Sequence, residues 1–160
     1  MSQSRNQFLR VQRAFMKVLD NKNRNPEEYE DDVWAFFMNC WHLADWIKND
    51  TEGVARATRE KIEVEVKSHP ALAMVGKLVN KQKNFNITKG VAKTSGAHRA
   101  KGLVSSTAYI DKRDEPKTSA KDNGEILLLV VDKKGDEIAV KKLATDAMKT
   151  WMAIIKKYRI

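Results

Sequence analysis

A chain of 160 residues, 42% apolar and 32% charged, has the balance of a soluble globular protein and the length for one domain with a real core. Its formal net charge of +9 favours acidic partners, nucleic acid or an anionic surface, and is silent on fold. The lone cysteine, Cys40, excludes an intrachain disulfide and a multi-cysteine metal site, and a thiol inside an apolar run suits a reducing cytoplasm.

The opening "MSQSRNQFLRVQRAF" lacks the uninterrupted apolar core of a signal peptide. Phe8, Val11, Phe15, Val18 and Leu19 recur at helical spacing and predict a first helix near 5–21, with Arg10, Arg13 and Lys17 on another face. Its apolar stripe reads as ordinary core, so no membrane partner is expected. "NKNRNPEE" then ends one helix and starts the next. Asn25 is placed to cap it, Pro26 suits the first helical position, and the acids that follow suit the N-terminal dipole. The second helix runs near 26–49. Its apolar run, Val33 to Ile47, is about 15 residues against the roughly 20 a bilayer span needs, and it contains Asp45. The chain is therefore expected to be soluble and cytoplasmic.

"NDTEG" breaks the second helix, and Thr51 is expected to cap a third near 52–67. "SHP" breaks the chain again, with Pro70 opening a fourth helix near 70–84. Leu72, Val75, Leu78 and Val79 form its apolar stripe, while Lys77, Asn80, Lys81 and Asn84 face elsewhere.

Beyond Phe85 the texture changes. "NITKGVAKT" and "GLVSSTAYI" read as strands, and "KRDEPKTSAKDNG", 112–124, as a polar loop. "EILLLVV", 125–131, is apolar on both faces and so a central strand, with "DKKGDE" as the hairpin turn returning through "IAVKKL". Ala144, Ala147, Met148, Trp151, Ile154, Ile155 and Tyr158 mark a closing amphipathic helix from 143. The expected fold is α+β in one domain. Residues 1–84 form four helices, 85–142 a small antiparallel sheet of three to four strands, and 143–160 the closing helix.

The charge is uneven. Residues 1–25 carry +5, 26–50 carry −6, 70–84 carry +3, 85–121 carry +5 and 143–160 carry +3. The acidic share is mostly one cluster, Glu27 to Asp32. A phosphate-binding surface would use Arg10, Arg13, Lys17, Lys89, Lys93, Arg99, Lys101, Lys112 and Arg113, giving sequence-independent, salt-sensitive binding. Small residues in "TKGVAKTSGAHRAKG" would let a backbone approach phosphate. Tyr109 alone among the strand residues is placed to stack on a base. The bland alternative is a set of solvated charges that keep the protein soluble.

Most signatures of chemistry are missing: no phosphate-binding P-loop, no dinucleotide fingerprint and no nucleophile elbow. His42, His69 and His98 are far apart in sequence, and no spacing supports a metal site; no cofactor is expected. Cys40 and His42 do not pair, because residues two apart on a helix point about 200° apart. Asn39, His42 and Asp45 are better placed. Steps of three gather them on one helix face, with His42 and Asp45 close enough to hydrogen-bond. That strip is either a catalytic or ligand site, a solvent stripe, or a polar seam in the core. Asn80 and Lys83 on the fourth helix are candidate partners.

"FFMNCWHLADWIKND" resembles a pattern in small uncharacterised bacterial and phage proteins, a helix of the form F-x-H-x-x-H-L-x-D-W-I matched by His42, Leu43, Asp45, Trp46 and Ile47. "KLVNKQKNF" is similar to their later helix D-L-x-N-x-x-K-H-F through Leu78, Asn80, Lys83 and Phe85. "LVVDKKGDEIAVKKLATDAMKTWMAII" fits their closing strand, turn, strand and helix. Lys77 stands where an acid is usual and Asn84 where a histidine is usual. The helical half also resembles HEPN-type domains, many of them RNases, but lacks their R-x(4–6)-H motif. The resemblance implies the fold and a bacterial or phage origin. Two functions are expected from these readings. The first is a non-enzymatic accessory protein that binds nucleic acid or an acidic protein through its basic surface. The other is a HEPN-like RNase, toxin-system or defence component with a degenerate site using His42 and Asp45. Oligomeric state is left open, a homodimer included.

Overall fold

The computed structural model describes residues 2–80, 85–89, 110–111, 125–132 and 134–160, with backbone alone for 85–89, 110–111 and 132. α1 (Gln3–Leu19) buries Ser4, Gln7, Val11 and Val18, a stripe at helical spacing, and Ser2 caps it by accepting from the Arg5 N–H. α2 (Pro26–Asn49) starts as expected: Asn25 Oδ1 accepts from the N–H groups of Glu27 and Glu28 at 2.9 and 3.1 Å. The Tyr29 hydroxyl donates to the Val18 carbonyl at 2.9 Å, and Gln7 Nε2 donates to Asn39 Oδ1 at 3.0 Å. Those two bonds run in opposite sequence directions, so α1 and α2 are antiparallel.

α2 is the central helix. It buries Tyr29, Val33, Phe36, Phe37, Cys40, Leu43 and Ile47. Around it lie α1, α3 (Arg56–Ser68), α4 (Pro70–Val79) and α5 (Val140–Tyr158). Trp151 of α5 is fully buried, and its indole N–H donates to the Cys40 carbonyl at 3.0 Å. The core thus joins the second helix to the last. Where α2 meets α4, Gly76 lies directly beneath the Trp41 ring. A Cβ there would come within 2.5 Å of the indole, so only glycine permits the approach.

Two boundaries differ from expectation. Thr51 does not cap α3: residues 51–54 form a turn, and α3 begins at Arg56 behind Ala55, which has no side-chain acceptor. Asp50 holds that turn instead, accepting from the Gly53 N–H at 2.9 Å. α4 stops at Val79, earlier than 84, with Asn80 as its C-cap; Asn favours such caps because its side chain competes with helical hydrogen bonding. The opposite shift occurs in α5, which begins at Val140 because Val140 and Leu143 extend its buried stripe.

The sheet is organised on β3 (Ile126–Asp132). β1 (Phe85–Lys89) pairs antiparallel along one edge, from Phe85↔Asp132 to Lys89↔Leu128. On the other edge lie two short segments, β2 (Ile110–Asp111) against Leu127 and Ile126, and β4 (Glu137–Ala139) against Val131 to Leu129. The antiparallel sheet therefore amounts to two full strands with short segments beside the central one. β3 buries Ile126, Leu128 and Val130 and half-covers Leu127, Leu129 and Val131, so its two faces are unequal. The returning strand predicted through "IAVKKL" ends at Ala139, since the next residues are helical. Gly135 takes φ +84° in the turn before β4, a left-handed conformation that glycine adopts without cost. The predicted strand "GLVSSTAYI", apart from Ile110, and the loop 112–124 lie outside the described residues.

Helical and strand parts share one cluster of buried residues. Asn21, just past α1, ties them: its C=O accepts from the Ile126 N–H at 2.8 Å and its Nδ2 donates to the Ile126 C=O at 2.9 Å. The fold is α+β and mostly helical. Among the described residues no helix is long and apolar enough to cross a membrane.

Candidate functional site

The Asn39, His42, Asp45 strip is a surface feature. His42 Nδ1 and Asp45 Oδ2 are 3.3 Å apart, with the side chains 49% and 63% exposed. Among the described residues no other side chain hydrogen-bonds to either group. Asn39 is different. Its amide donates to the Ala35 carbonyl at 2.7 Å and its Oδ1 accepts from Gln7, a buried residue of α1. The strip therefore leans on α1 at one end and opens to water at the other. α4 meets α2 through Gly76 and Trp41, and of the two residues expected to face the strip from the fourth helix, Asn80 ends α4 and Lys83 lies outside the described residues.

Cys40 sits one position from Asn39 and points inward, fully buried, where burial pushes its thiol pKa up to about 12. A protonated, inaccessible thiol is neither nucleophile nor ligand.

The basic residues sort into tied and free. Arg10 and Arg13 are exposed along α1, Arg10 touching only the neutral Gln7 Oε1 at 3.4 Å. Lys17, by contrast, pairs with Asp32 at 3.0 Å, and Arg24 pairs with the same carboxylate at 2.5 Å. Desolvation works against the charged form of Asp32, but hydrogen bonds from Arg24 and Lys17 outweigh it and hold its pKa below the ordinary carboxylate value. The acid-rich start of α2 thus neutralises the lower part of the α1 stripe. Lys93, Arg99, Lys101, Lys112, Arg113 and Tyr109 lie outside the described residues, as does the Lys89 side chain. On α5 and at the start of α1, Lys149, Lys156, Arg159 and Arg5 are exposed, and no carboxylate among the described residues bonds to them.

Two arrangements escaped the sequence reading. Asp50, 6% exposed, accepts from the Ser4 N–H and Ser4 hydroxyl at 3.1 and 2.5 Å. The Ser4 hydroxyl above all, with the backbone N–H groups of Ser4 and Gly53, depresses its pKa. Asp50 thereby places a carboxylate at the N-terminus of α1, whose own first turn has no acid. The partners are 46 residues apart in sequence, so no local pattern announces them. His69, the residue between α3 and α4, also reaches across the fold. The Thr150 hydroxyl lies 3.2 Å from both nitrogens of its ring and donates to the Asp146 carbonyl at 2.9 Å. Beside it Glu65 accepts from Lys157 and the Tyr158 hydroxyl at 2.8 and 2.9 Å, and the Lys157 bond leads in lowering the Glu65 pKa. These bonds fasten α3 to α5.

Among the described residues no group of three His, Cys, Asp or Glu side chains could hold a metal. Compared with family models, curated proteins and solved structures, the chain matches none.

Proposed function

We propose that the chain is a non-enzymatic binding module of the cytoplasm that takes an acidic partner, a nucleic acid or an acidic protein segment, on its basic surface. The observation that carries this reading is the set of exposed cations left without a carboxylate among the described residues: Arg5, Arg10 and Arg13 on α1, with Lys156 on α5 and Arg159 at its end. Surface cations that had only to maintain solubility would tolerate local pairing, as Lys142 with Asp146 and Arg56 with Glu60 do. Unpaired cations keep their full attraction for an incoming anion and speed its approach. The RNase alternative has less support, since His42 and Asp45 stand on an open helix face with no third group bonded to them among the described residues. Fluorescence anisotropy with labelled single-stranded RNA, duplex DNA and polyglutamate tests the reading across a salt series. At least one probe is expected to bind at low salt, with log affinity falling linearly against log salt. No binding to any of the three at low salt removes the proposal.

A further inference from the structure

α1 and α5 run antiparallel: Lys141 reaches Asn21 beyond the C-terminal end of α1, while Phe8 near its start faces Ile155. They do not close against each other along their outer edge. A groove of about 330 Å³ lies between them, lined by Phe8, Gln12, Met152, Ala153, Ile155 and Lys156. Met16 follows Gln12 by one turn on the same side of α1. Met16 and Met152 are 63% and 52% exposed, and exposed methionines flanking a groove make a surface that repacks around incoming side chains. Its rim is basic. Lys149 and Lys156 lie within about one turn of Met152 on its own side of α5, and Arg5 precedes Phe8 by one turn.

We propose that this groove docks an acidic amphipathic helix from a partner protein. The inference rests on the binding-module reading above and deepens it. The apolar floor selects a segment with side chains at i, i+3, i+4 and i+7, the spacing by which a helix fills a groove. The three rim cations, Arg5, Lys149 and Lys156, select carboxylates on the flanks of that segment. From Lys149 to Lys156 the wall is about 10 Å long, enough for roughly two turns of a bound helix. A nucleic-acid duplex fits the rim but not the floor, because its bases are stacked inside and its outer sugar and phosphate offer nothing apolar to bury between two methionines and a phenylalanine.

The probe is a synthetic helical peptide of about 18 residues with Leu at i, i+3, i+4 and i+7 positions and Glu elsewhere. A second peptide has the same composition with the Leu spacing scrambled. Binding is read by anisotropy on the wild-type chain, on Met152→Asp and on Lys156→Glu, both at exposed positions, with circular dichroism to confirm the helical content. The first peptide is expected to bind at least about tenfold more tightly than the scrambled one and to lose at least about tenfold on Met152→Asp. Equal binding of both peptides, or no effect of either substitution, overturns the groove while leaving a module that reads charge alone. Failure of every acidic probe, peptide, polyglutamate, RNA and duplex DNA, overturns both proposals. Two other results overturn the protein-helix assignment: Met152→Asp-sensitive binding to phosphatidylglycerol vesicles without peptide binding, and a sedimentation shift from dimer to monomer on Met152→Asp.

Discussion

Replacing Asp50 with alanine removes the acceptor that joins the start of α1 to the end of α2. Three donors lose their partner: the Ser4 N–H, the Ser4 hydroxyl and the Gly53 N–H. A hydrogen bond to a charged group contributes about 1.5–3 kcal/mol, and a buried donor left unsatisfied costs about 1–3 kcal/mol. The losses are not simply additive here. The Gly53 N–H is only partly buried and can meet water, and the Ser4 hydroxyl can turn to Ser2 Oγ, 3.2 Å away. The buried Ser4 N–H, two residues into the helix, has no such substitute. The expected destabilisation is about 3 kcal/mol at neutral pH, or a fall in melting temperature of about 10 °C for a chain of this size. Asp50→Asn retains an oxygen acceptor and is expected to lose about half as much. The pH dependence has a definite sign. The folded-state pKa of Asp50 is depressed, chiefly by the Ser4 hydroxyl, so its stabilising contribution is fully present above the unfolded carboxylate value of about 3.9. It is lost as pH falls through the lower folded value. Urea titrations of wild type and Asp50→Ala, at neutral pH and at the lowest pH where both fold, check this. A difference below about 0.5 kcal/mol at neutral pH, or a gap that does not narrow in acid, would refute the reasoning.

Gly76→Ala sets two effects against each other: alanine gains about 1 kcal/mol of helix propensity, but its Cβ meets the Trp41 ring at 2.5–2.8 Å. Overpacking at that contact costs about 1–3 kcal/mol, so a net loss of stability with a change in Trp emission is expected. A Gly76→Ala protein more stable than wild type would show that Trp41 swings out freely. Cys40, with its pKa pushed up to about 12 by burial, is expected to resist iodoacetamide at mildly alkaline pH in the native state and to react at once in denaturant. Labelling at the rate of a free thiol under native conditions would contradict its burial.

How far the sequence could be read depended on whether each signal was local. Asn25, Pro26 and the acids after them placed the start of α2 correctly, because capping and dipole effects act within one turn. The burial of Cys40 followed from the apolar residues packed around it along the helix. Thr51 failed as a cap because Asp50 was already committed to Ser4 and Gly53, and the turn it forms delays α3 to Arg56. The polar strip was legible as one face of α2, yet its periodicity could not say whether that face met solvent or protein. Asn39 turned to Gln7 and His42 turned outward only once α1 was laid alongside.

By itself, the sequence determined the helix periodicities, the apolar central strand, the uneven charge and the absence of familiar catalytic signatures, all set by side chains within a few residues of one another. Tertiary structure alone decided which charges are cancelled. Asp32 draws Lys17 and Arg24 out of the basic surface, while α5 brings Lys156 to the edge of an open apolar groove. Charge counted along a chain is blind to that outcome, because pairing and exposure depend on distances of a few ångströms between residues far apart in sequence.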